Sequence, residues 1–186
     1  MHVVESTPPL RSTFVTVLAW IFIVLAGFST FISILQNIMI TLMFPMEEMQ
    51  AGLNGPEARE NMPAFFYFMF SNIRLFFFGF LVVTSTTLIA SIGLLMRKNW
   101  ARMLFIGVMS LGIVWNIVGV VLQQFMMSSM LDMPNVPGPD FEIFIIVIRV
   151  FTFLMALGMS VLFGWIIKRL LSPTIRQEFL PTALLE

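Results

Sequence analysis

Apolar positions in this 186-residue chain fall into four long runs, at about 14–44, 64–96, 103–131 and 143–167, and most polar residues lie between them. Each run exceeds the ~20 residues that a helix needs to cross a hydrocarbon core about 30 Å thick. A spanning strand would alternate apolar and polar residues over about ten positions. Stretches such as FFYFMF and FIIVI show no alternation. The pattern predicts four transmembrane helices, at about 14–44, 64–96, 101–131 and 141–171, in one all-α four-helix bundle covering 1–186 with short terminal tails. The first run is longer than a secretory h-region of about 7–15 residues, and no A-x-A-like site follows it, so it reads as a retained helix.

Composition agrees with the pattern. Hydrophobic residues make up 59% of the chain and charged residues 11%, well short of the roughly 25% that a water-soluble surface carries. With no Cys, disulfides, thiolate metal sites and thiol nucleophiles are excluded. The net charge is zero, yet the charges are sorted. Arg11, Arg97, Lys98, Arg102, Lys168, Arg169 and Arg176 flank one set of helix ends; the loops at the other ends hold Glu47, Glu48, Glu57, Glu60, Asp132, Asp140 and Glu142 against Arg59 alone. Lys and Arg near helix ends stay cytoplasmic. Both termini and the RKNWAR turn are therefore expected inside, in a plasma membrane. The loops at about 45–63 and 132–139 carry Pro, Gly and Asn breakers and are expected outside. Ser172-Pro173 reads as a helix N-cap followed by a first helical residue, opening a short interfacial turn.

Every helix meets a strong polar group about one bilayer thickness from its basic end: Gln36 and Asn37 on the first, Arg74 on the second, Gln123 and Gln124 on the third, Arg149 on the fourth. Apolar character continues beyond that layer. A 31-residue helix is about 46 Å long and would need roughly 50° of tilt to fit, outside the usual range, so the helices are expected to project past the outer interface. Arg74 and Arg149 have two readings. In one they line a site for an anion or a lipid phosphate, with Gln36 and Gln123, because ionisable groups at membrane depth are usually functional. In the other they snorkel at the interface or pair with an amide or a loop carboxylate.

Methionine is abundant, at 16 residues, and clusters in the projecting layer: Met39, Met43 and Met46 on the first helix, Met126 or Met127, Met130 and Met133 on the third. Thioethers select Cu(I), which makes Met43, Met46, Met127 and Met130 a candidate metal set. Met also packs well against aromatic rings, and Phe residues are plentiful on the facing runs. Packing is the favoured reading, and no cofactor is expected. Ala156, Ser160 and Gly164 form a small-xxx-small stripe for close helix approach, and Asn116 is expected to hydrogen-bond across the bundle.

RSTFVTVLAWIF and RKNWARMLFIGV each place a base and a Trp before an apolar run, as though two related hairpins made up the chain. VTVLAWIFIVLAGFS, LLMRKNWARMLFI and LLSPTIRQEF resemble boundary segments of bacterial four-helix inner-membrane proteins of unassigned function. That resemblance implies a bacterial inner membrane and no particular activity.

An enzyme is not expected. His2 is the lone histidine, the acids lie in loops or tails, and no HExxH, GxSxG, P-loop or dinucleotide pattern occurs. An oligomeric channel or transporter is an alternative, though few polar residues line any helix and no Pro interrupts a span. The expected role is that of an accessory subunit, assembly factor or scaffold, partnered by lipid and by other membrane subunits or copies of itself, and not by nucleic acid.

Overall fold

The computed structural model describes residues 12–43, 45, 51–53, 55, 64–131 and 138–179; for 64–66, 126–131 and 138–142 only the backbone is described. Of the described residues 92% are helical and none lies in a strand. In chain order the helices are α1 (Thr13–Met43), α2 (Ala64–Ser71), α3 (Ile73–Leu95), α4 (Asn99–Leu131), α5 (Gly138–Leu170) and α6 (Pro173–Gln177). Four of them, α1, α3, α4 and α5, are long and apolar enough to cross a membrane. The protein is an all-α, multi-pass membrane protein.

The second expected helix has a break in it. Ser71 Oγ donates to Phe68 O at 3.1 Å, and Asn72 Nδ2 donates to the same carbonyl at 2.9 Å. Short polar side chains that bond nearby carbonyls compete with the helix ladder. Asn72 takes φ −114° and ψ 23°, which separates α2 from α3. The main-chain bonds Asn72 N to Phe68 O and Phe76 N to Asn72 O bridge the break, and Phe68 meets Phe76 edge-to-face across it at 6.0 Å.

The chain divides into two compact units, each built on one helical hairpin: Thr13–Met96, and Arg97–Glu186 with Ser12. In the first, α1 packs on α3. Ala19, Ala26, Ser33 and Ile40 are buried at strict seven-residue spacing, facing Thr84, Ala90, Ser91 and Leu94 of α3. A seven-residue repeat keeps one seam facing a partner helix as the two wind around each other, and small side chains on it let the backbones approach. Polar groups tie the seam further out. Thr84 Oγ1 lies 3.5 Å from Ser33 Oγ, and Asn37 Nδ2 donates both to Ser33 O (2.8 Å) and across to Phe77 O (3.1 Å).

In the second unit α4 packs on α5. The close contact lies at Gly112, where an added Cβ would come within 2.9 Å of the Phe163 ring. Ala156, Ser160 and Gly164 are half-buried, and a Cβ at Gly164 would meet nothing within 4 Å. This hairpin's tight approach therefore rests on Gly112 rather than on Gly164. Asn116 is half-buried and makes no side-chain hydrogen bond to a described residue. Ser172 sits at the N-cap of α6 with extended backbone and Pro173 at the first helical position, but the serine side chain makes no capping bond.

Candidate functional site

Arg149 stands on α5 nineteen residues before Lys168, about 28 Å along the helix axis and so close to one hydrocarbon thickness from the basic end. Beside it the surface of the second hairpin opens into a crevice of about 670 Å3. Val121, Phe153 and Leu154 make its wall apolar; Gln123, Gln124 and Arg149 supply its polar edge. Gln123 Nε2 donates to Thr152 Oγ1 at 3.2 Å, which fixes one amide against α5. Arg149 Nε is enclosed and has no hydrogen-bond partner. A guanidinium nitrogen shut away from water wants an acceptor, and an apolar trough beside it suits an acyl chain or another helix.

Gln123 and Arg149, expected to share a site, thus line the same crevice. Gln36 and Arg74 belong to the other hairpin, where Gln36 is half-buried and Arg74 is exposed at the start of α3. Within that hairpin the Asn37–Phe77 bond marks the level at which amide and arginine occur, three residues from Arg74. Of the candidate copper ligands, Met43 is exposed; Met46 and the side chains of Met127 and Met130 lie outside the described residues.

A second polar cluster lies at the basic end of the second unit. The α3 helix ends with Met96 N donating to Ile92 O, and Arg97 then takes the left-handed conformation at φ 57°. That turn throws its side chain back onto the carboxy-terminal tail. Arg97 Nη1 pairs with Glu178 Oε2 at 3.2 Å, and Arg97 Nη2 donates to Ser12 O at 2.9 Å. Ser12 N donates to the same Glu178 oxygen at 3.2 Å. The neighbouring Phe179 ring is buried and carries two guanidiniums, Arg97 at 5.9 Å and Arg102 at 5.6 Å from its centroid. Arg102 is only 5% exposed, and both its Nε and its Nη1 are enclosed without a partner.

From the sequence alone these bases mark topology and nothing more. The signal for the cluster was an acid-aromatic pair, Glu178-Phe179, at the end of the tail opposite three bases in the RKNWAR turn, and only folding shows that the two meet. Among the described residues no group of three or more His, Cys, Asp or Glu could hold a metal ion.

No protein-family model matches the chain. No curated protein matches it significantly, and neither does any solved structure.

Proposed function

We propose that the chain is a non-catalytic membrane module: an accessory subunit, assembly factor or scaffold that works by contact with other membrane proteins or with copies of itself. Helix length against exposure carries this reading. The helices α1, α4 and α5 have 31, 33 and 33 residues, about 46–50 Å, against a hydrocarbon core of about 30 Å. Far from the basic end they still present large apolar side chains, with Leu42 78%, Met43 74% and Phe125 68% exposed. Apolar surface beyond the lipid tails needs a cover, and a protein partner supplies one.

The charge sorting supports both termini cytoplasmic and the far ends of the helices outside, and the resemblance of the boundary segments supports a bacterial inner-membrane location. Native mass spectrometry of the gently extracted protein tests the role. A defined homo-oligomer or a stoichiometric second polypeptide is the expected result; a lone monomer in several mild extractants overturns it.

A second reading, binding of an anionic lipid at the Arg149 crevice, is favoured by the enclosed, partnerless Arg149 Nε beside an apolar trough. Arg149→Ala would then shed a co-purifying lipid that Arg74→Ala retains, both variants keeping their helical content.

A further inference from the structure

Arg102 is the most enclosed charged side chain among the described residues, and it is under-satisfied. Its guanidinium has five N–H donors, and two of its nitrogens are shut in without an acceptor. The Phe179 ring gives it a π face, which attracts a cation but takes no conventional hydrogen bond from Nε or Nη1 in their own plane. Glu178, the one acid among the described residues of this cluster, is committed to Arg97 and to Ser12 N.

The surrounding field makes matters worse for a lone cation. Arg102 stands in the first turn of α4, the positive end of the helix dipole, and that turn contains no acidic residue. Arg176 lies within electrostatic reach and repels it. Lys98 precedes it by one turn, and Arg102 N bonds Lys98 O at 3.3 Å. Among the described residues, Arg97, Lys98, Arg102 and Arg176 thus lie at this end of the unit, where Glu178 pairs with Arg97. A buried charge without a counter-charge is costly, and among the described residues at this end bases outnumber acids.

The geometry points to an anion site at Arg102 for a phosphate group, with Arg102 as the inner ligand and exposed Lys98 and Arg176 at its mouth. Phosphate offers the two parallel acceptors that a guanidinium fork matches, and it complements the helix N-terminus behind. The cluster lies at the basic end of the membrane-spanning helices, the level at which Lys and Arg meet phospholipid headgroups in membrane proteins generally. An anionic phospholipid is one source of the group, and free phosphate is the other. This site is separate from the Arg149 crevice, which lies near the opposite end of the same hairpin, and it does not depend on the scaffold role.

The test uses the full chain in a neutral detergent, as wild type, Arg102→Gln, Arg176→Gln and the control Lys168→Gln, each checked for helical content. Phosphatidylglycerol or chain-matched phosphatidylcholine is titrated in, and adducts are read by native mass spectrometry; inorganic phosphate is titrated separately against the melting temperature. Expected is a wild-type preference for phosphatidylglycerol of roughly tenfold, lost in Arg102→Gln, reduced about two- to fivefold in Arg176→Gln and kept in Lys168→Gln. Stabilisation by inorganic phosphate that Arg102→Gln abolishes, without that lipid preference, assigns the site to free phosphate. Wild type that binds neither probe, or Arg102→Gln that binds as wild type does, overturns the site. Should Arg102→Gln not fold, the exposed Arg176 decides: wild-type affinity in Arg176→Gln overturns it equally.

Discussion

Gly112 has no side chain where the Phe163 ring needs the space, and that single absence sets how closely α4 and α5 approach. A methyl group placed 2.9 Å from the ring edge forces either the ring or the helices to move. Gly112→Ala is therefore expected to destabilise the second hairpin by about 1–3 kcal/mol, despite the better helix propensity of alanine. Unfolding in mixed micelles measures it, and the smaller Phe163→Leu should recover part of the loss in the double variant; strictly additive effects would place the strain elsewhere. Arg97 poses a backbone question at the same scale. Its φ of 57° suits glycine, yet its guanidinium holds Glu178 and Ser12. Arg97→Ala and Arg97→Gly both lose the side chain, but only alanine keeps a Cβ in the left-handed region. The glycine variant should be the more stable of the two by about 1 kcal/mol, read by the same unfolding assay. Neither feature was legible beforehand, because a ring 51 positions away and a turn angle leave no mark on hydropathy.

Elements were far more legible than their contacts. The four spans follow from run length because lipid demands closed main-chain hydrogen bonding over about 30 Å, whatever the helices touch. The break at Asn72 escaped that logic, since Ser71 and Asn72 sit inside a stretch rich in aromatic residues and act through local bonds to Phe68 O. The seam of the first hairpin was written in the chain as Ala19, Ala26, Ser33 and Ile40, but at a spacing of seven, whereas the small-residue stripe sought in α5 repeats every four. The seven-residue spacing makes a prediction. Ala26→Leu adds bulk to a position 5% exposed and should weaken α1–α3 pairing by about 1–3 kcal/mol. Leu25→Ala, on the exposed side of the same turn, should change it little. Asn37→Ala removes a bond across to Phe77 O, and comparable interhelical bonds in membranes contribute about 0.6 kcal/mol. A larger effect of Asn37→Ala than of Ala26→Leu would mean that polar bonding, not close approach, holds the seam.

At the scale of the whole molecule, charge and length make separate demands on the membrane. Seven bases at one set of helix ends and a largely acidic set of loops at the other give the chain a direction, and the absence of Cys makes that direction simple to measure. Single cysteines at Thr174, near the tail, and at Gly55, in the first acidic loop, should respond oppositely to a membrane-impermeant maleimide added to intact cells. Gly55→Cys should label at once and Thr174→Cys only after the membrane is opened; the reverse pattern would invert the topology and place the Arg102 cluster on the other leaflet. Length acts on the far side. Because α1 continues seven residues past Gln36, to Met43, about 10 Å of helix extends beyond the polar layer with exposed Leu42 and Met43. Replacing both by Ser removes apolar surface without touching a buried contact. If a partner covers that surface, Leu42→Ser with Met43→Ser should dissolve the assembly seen by native mass spectrometry and leave helix content unchanged. If lipid covers it instead, the oligomeric state will survive and only the depth of insertion will shift. The two outcomes separate an assembly face from an unusually long span.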